Sequence, residues 1–340
     1  MNGAREIRLD FLRIVAIFGF FLCAVSNRTL CNSTFPDVGS LSSLVFMCIG
    51  SFCLPLLFML TGNTLLDPKH DFTFKKHFMR MLRILTAGAV WTCAYTAVLF
   101  LAMNYKFDVK RFIYVAYSSL PHMRYVLAFL CVYLTVPIYR LLVKNKRATE
   151  YFLVLAFIFA SFLPMLRNFP VVYRASYISS SLDINMFCGL SWLMVLGYYL
   201  RAYPPKLGLR VTLYSLSAVS VILSIICLTS GHNLLDQSMF VISANFVLYA
   251  AGIYVLFTNK ATRLNRNDKL ERFVTPVSKC SLGTFIMSLF FIKALSILGL
   301  NGASFMPWLA IPTTAIVSCI TAYGFAYIIS GIPVVNRWLM

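Results

Sequence analysis

The chain has 340 residues, 60% of them apolar and 12% charged, a formal net charge of +19 and a mean hydropathy of +0.79. Soluble domains carry roughly 45–50% apolar and about 25% charged residues, so this composition excludes a water-soluble protein and describes a polytopic membrane protein. Outer-membrane barrels alternate apolar and polar positions, whereas these apolar runs are continuous and about 16–25 residues long, which predicts an all-α chain of transmembrane helices.

Ten spans are predicted in chain order, near residues 9–27, 41–66, 79–104, 123–143, 151–166, 184–202, 211–230, 238–258, 280–300 and 307–330. Nothing between them exceeds about twenty residues, so residues 1–340 read as one integral-membrane domain, without repeats or low-complexity tracts. Ala24-Val25-Ser26 resembles a signal cleavage site. Removing the first span would leave an odd count and the wrong charge balance, so that span is expected to stay. The loops on the N-terminal side hold 21 of the 30 basic residues. The other side holds seven (Arg28, Lys106, Lys110, Arg111, Arg124, Arg167 and Arg174), and Arg13 and Lys293 fall within spans. This asymmetry places both termini in the cytoplasm. The charge of +19 needs no nucleic acid, because anionic lipid is a sufficient partner.

The first span opens with Leu9-Asp10-Phe11-Leu12-Arg13. Charged groups entering a membrane are costly unless paired, so Asp10 and Arg13 are candidate functional residues. The alternative is an interfacial ion pair that only anchors the helix. Eleven residues on a helix return to within about 20° and climb about 16 Å, which puts position 24 on the Arg13 face. That position is Ala24, and Asn27 is the nearest polar residue beyond it.

The third span opens with Lys75-Lys76-His77-Phe78-Met79-Arg80-Met81-Leu82-Arg83. Arg80 and Arg83, three apart, share a face. Two guanidinium forks suit a phosphorylated donor such as coenzyme A, although a positive-inside cluster explains the neighbouring lysines equally well. His122 begins the fourth span, where a lone interfacial histidine is either structural or a base. His70, His77 and His232 show no metal-ligand spacing. Lys293, deep in the ninth span, either snorkels to the surface or has a function. The ten cysteines lie almost wholly within apolar segments, with Cys31 in a loop, and make neither a disulfide framework nor a metal site.

Taken together, several segments resemble the bacterial acyltransferase-3 family of multi-span O-acyltransferases that modify surface glycans. Leu9–Arg13 resembles its L-D-x-L-R opening, and Pro55–Gly62 its P-x-F-F-x-x-S-G segment with Thr61 in the serine position. Arg80-x-x-Arg83 is similar to its R-x-x-R motif. Pro121-His122, Tyr125 and Tyr133-Leu134-x-x-Pro137 resemble its H-L-W-Y…Y-L-x-x-P run. Leu196–Leu200, Ser278–Gly283 and Gly331-Ile332-Pro333 also have counterparts, so the likeness spans essentially the whole chain.

The resemblance implies transfer of an acyl group, usually acetyl from acetyl-coenzyme A or another acyl-coenzyme A, to a sugar hydroxyl. It implies no metal, a site in the bacterial cytoplasmic membrane, and the bilayer and a glycan acceptor as partners. Arg13, Arg80 and Arg83 match the family's functional arginines, while its first-span histidine is replaced by Ala24. The family tryptophan after His122 corresponds to Arg124, and a frequent ninth-span histidine corresponds to Ser288. A sugar hydroxyl needs a base to take its proton, worth typically 10²–10⁴ in rate, and His122 is the best remaining candidate. The other readings are a catalytically silent relative that binds acyl-coenzyme A or glycan, and a glycan or lipid transporter.

Overall fold

The computed structural model describes residues 7–68, 72–102, 108–118, 121–166, 189–229, 243–260 and 268–332, and these are helices joined by short turns. The helices are α1 (Ile7–Cys31), α2 (Val38–Gly50), α3 (Cys53–Leu65), α4 (Phe74–Ala102), α5 (Val109–Ser118), α6 (Pro121–Leu142) and α7 (Lys146–Ala156). A π-helical turn, Phe157–Phe162, carries α7 into α8 (Leu163–Leu166). There follow α9 (Trp192–Ala202), α10 (Leu207–Thr229), α11 (Ala244–Lys260), α12 (Asp268–Lys279), α13 (Ser281–Ile297) and α14 (Pro307–Ser330).

Each expected span contains a helix among the described residues, although parts of those expected at 79–104, 184–202, 211–230 and 238–258 lie outside them. Among the described residues, six stretches rather than ten are long and apolar enough to cross a bilayer unaided: Ile7–Cys31, Val38–Leu65, Phe74–Leu101, Lys146–Met165, Leu207–Thr229 and Pro307–Ser330. A seventh arises if α12 and α13, bent by 66° where they meet, form one broken crossing. The chain is a polytopic, all-helical membrane protein. Cys31, expected in a loop, is the last residue of α1 and is exposed.

The helices gather into two compact units. One comprises Met1–Phe20, Leu44–His70 and Thr135–Val274; the other comprises Phe21–Ser43, Asp71–Leu134 and Thr275–Met340.

In the first unit, α3 packs against α9 and α11, and α11 packs against α10. The α3–α9 contact is backbone on backbone. A Cβ added to Gly62 would collide with the Met194 carbonyl, and one added to Gly197 with the Met59 carbonyl. Only glycine permits so close a crossing, and close crossings are what hold helices together where lipid competes with every apolar side chain. Helix α10 inverts the soluble pattern: Ser217, Ser220 and Ser224 are buried, while Val219, Ile222, Leu223 and Ile226 are exposed. In water such an apolar face would drive aggregation, but against hydrocarbon it is the favourable arrangement.

In the second unit, α13 packs against α4 and α14. The contact is aromatic: Trp91 lies 5.6 Å from Phe290 and 6.0 Å from Phe325, and Phe291 lies 5.4 Å from Phe325. The outward face of α14 is again apolar, with Ile316, Ile320, Tyr327 and Ile328 exposed. Gly299, at φ 90°, turns the chain out of α13. The turn is closed by the Ser304 hydroxyl, which donates to the Gly299 carbonyl at 2.6 Å and accepts from the Asn301 N–H at 2.7 Å.

Candidate functional site

The expected site residues are spread over both units. In the first, the opening of α1 is fixed to the end of α11: Arg8 Nη1 donates to the Thr258 carbonyl at 2.9 Å, and the Phe11 ring lies 5.7 Å from Phe257. One turn on, Arg13 Nη1 donates to Asp10 Oδ1 at 3.1 Å. The Asp10 side chain is only 2% exposed and that of Arg13 26%. The carboxylate is buried and the guanidinium part-exposed. A carboxylate so withdrawn from solvent is tolerated only when a cation and hydrogen bonds compensate it.

The same unit holds a polar group at the end of α3, which the sequence does not announce. Arg201 Nη1 donates to the Asn63 carbonyl at 3.0 Å and Arg140 Nη1 to the Leu65 carbonyl at 2.9 Å. The last carbonyls of a helix lack internal partners and carry the negative end of its dipole, so two guanidinium groups satisfy both needs. Buried Asn63 Nδ2 donates to the Tyr254 hydroxyl at 2.8 Å. Nearby in sequence to these arginines, Tyr199 donates to Glu150 at 2.7 Å, with Lys146 3.7 Å from the same carboxylate. Arg140 and Arg201 look in sequence like ordinary cytoplasmic basic residues, and only their positions at helix ends hint at capping.

In the second unit, Arg80 and Arg83 stand on the exposed side of α4 with Lys76. Neither arginine makes an ion pair among the described residues. Their planar forks are open to a phosphate. His77, between them and the start of α4, points the other way. It is buried, its Nε2 lies 2.9 Å from the Tyr133 carbonyl, and its ring stacks on Tyr133 at 5.5 Å. That carbonyl requires an Nε2–H donor, so His77 is a satisfied structural histidine.

His122 lies in the first turn of α6, with its side chain outside the described part. Ala24 is half-buried in α1. Two hydroxyls singled out in the sequence are taken up within their own helices: Thr61 donates to the Leu57 carbonyl at 2.8 Å, and buried Ser288 to the Phe285 carbonyl at 2.7 Å. Among the described residues, no three His, Cys, Asp or Glu side chains gather where a metal could bind.

Comparison with known families matches residues 6–330 to the acyltransferase-3 family, described as an acyltransferase domain. No curated protein and no solved structure matches the chain. The chain therefore belongs to the acyltransferase-3 family and, with its apolar helices, is a membrane acyltransferase.

Proposed function

We propose that this acyltransferase moves an acyl group, acetyl by preference, from acyl-coenzyme A to a hydroxyl of a surface or lipid-linked glycan. It acts in the bacterial cytoplasmic membrane with both termini inside. The observation that supports the reading best is the Asp10–Arg13 pair at 3.1 Å, with its carboxylate buried, at the start of α1. A membrane protein retains such a pair at a cost, and retention of costly charge is a mark of function.

In this reading the phosphates of acyl-coenzyme A dock on Arg80 and Arg83, on the basic cytoplasmic face. The acceptor hydroxyl attacks the thioester carbonyl: a C–O bond forms, the C–S bond breaks, and coenzyme A leaves as the thiol. The hydroxyl proton goes to a base, which passes it on to the departing sulfur. With alanine at position 24, His122 is assigned that role.

Mass spectrometry of the surface glycan tests this in cells with the gene intact, deleted, or restored as wild type, Arg13→Ala or His122→Ala. An acyl increment that disappears on deletion and returns only with wild type supports the reading. Identical glycans in every strain reject glycan acylation, and full activity in His122→Ala rejects that histidine as the base.

A further inference from the structure

The second unit encloses a cavity of about 160 Å³ between the last two turns of α1, the end of α13, the turn after it and α14. Its polar wall is Arg28, Thr29 and Asn32 from α1 and the turn after it, Ser296 from α13, Asn301 from the turn, and Thr314 from α14. Among the described residues, no aspartate or glutamate lines it. Arg28 forms no ion pair among the described residues. A cation in the wall of a low-dielectric cavity calls for an anion beside it.

A second observation is independent of charge. Thr314 is 1% exposed, and its Oγ1 has no hydrogen-bond partner among the described residues. A buried hydroxyl left unsatisfied costs about 1–3 kcal/mol, so an orphan in a cavity wall marks a place where something polar belongs. Gly302 packs so closely on Thr29 that a Cβ there would collide with Thr29 Oγ1. At about 160 Å³ the cavity is smaller than the roughly 300–1,000 Å³ of drug-binding pockets and larger than the roughly 10–15 Å³ that one water needs, so it suits a small polar group such as a single sugar unit.

We propose that this cavity binds an acidic saccharide unit of the acceptor, with its carboxylate or phosphate on Arg28 and its hydroxyls on Asn32, Ser296, Asn301 and Thr314. Naming the ligand an acceptor rests on the glycan-acylation reading above; the binding itself does not. On the proposed orientation the cavity opens at the outer face, and Arg28 lies one turn beyond Ala24.

The test is calorimetric titration of the purified full chain in nanodiscs with glucuronate, glucose 1-phosphate, glucose and inorganic phosphate. Both acidic sugars, or one of them, should bind about 10- to 100-fold more tightly than glucose, the range expected of a hydrogen-bonded charge. Which one binds identifies a carboxylate or a phosphate. Arg28→Gln should remove the preference and Arg28→Lys restore part of it, while Thr314→Val and Ser296→Val should weaken every sugar. Equal binding of glucose and the acidic sugars overturns the proposal, as does a preference that survives Arg28→Gln. Inorganic phosphate binding as tightly as the sugar phosphate overturns the saccharide. If Arg28→Gln does not fold, the two hydroxyl variants decide, and unchanged binding in both overturns the proposal. Acyl transfer measured on the same preparation separates the two readings. Transfer without acidic-sugar binding removes only the cavity's role; binding without transfer removes only the acylation reading.

Discussion

Asp10 and Arg13 share a hydrogen-bonded ion pair of 3.1 Å in which the carboxylate is 2% exposed and the guanidinium 26%. The burial is lopsided: the anion is sealed in and the cation reaches toward open space. Removing the cation should therefore hurt more than removing the anion. Arg13→Ala removes one of the groups that compensate a buried carboxylate, and should abolish transfer and lower the melting temperature in detergent. Asp10→Asn keeps a hydrogen-bond acceptor for Arg13 and should cost less stability. A smaller melting shift for Arg13→Ala than for Asp10→Asn would contradict this account.

Gly62 and Gly197 each press on the backbone of the opposing helix, at Met194 and Met59. Because the obstacle is backbone, no side chain can swing aside. Gly62→Ala and Gly197→Ala should each destabilise by about 1–3 kcal/mol, the usual cost of overpacking. The two should be non-additive, since one forced separation of α3 from α9 relieves both. Thermal unfolding of the two single variants and the double variant measures this.

Arg80 and Arg83 are exposed on α4 and support no packing. Arg80→Ala and Arg83→Ala should leave the melting temperature unchanged and weaken acyl-coenzyme A binding by about 10- to 100-fold each. The effect should appear as a raised KM for the donor and shrink at high salt. Donor affinity unchanged in both variants would remove the arginines from the donor site.

Arg201 holds the Asn63 carbonyl and Arg140 the Leu65 carbonyl at the end of α3. Arg201→Met keeps the apolar stem and removes the donor, leaving a carbonyl short of a partner; a loss of about 1–3 kcal/mol is expected. Arg201→Lys should recover part of it. Donor KM should stay at the wild-type value in Arg201→Met, so a KM change with no melting shift would argue that Arg201 binds substrate.

The helices were largely legible in the chain because each apolar run carries its own evidence. Ile14–Val25 within α1 is continuously apolar, and Val211–Leu228 within α10 is uncharged and mostly apolar, so neither needs a partner to be recognised. The π-helical turn at Phe157–Phe162 and the division of the second span into α2 and α3 were not legible. Both are adjustments of backbone register, made where helices pack, and the local composition does not change across them.

Asp10 with Arg13 and Arg80 with Arg83 could be read as pairs because three residues along a helix is a fixed geometry. Residue chemistry and spacing by themselves thus determined the membrane class, the helical segments and the candidate arginines. Tertiary structure alone decided that Arg201 and Arg140 cap α3 and that Gly62 meets Met194. It alone brought Arg28, Ser296 and Thr314, nearly three hundred positions apart in the chain, to one cavity. The physical reason is range. Hydropathy and helical period act within a single helix, whereas contacts between helices depend on which faces lipid leaves free to pack, and no local stretch of sequence encodes that.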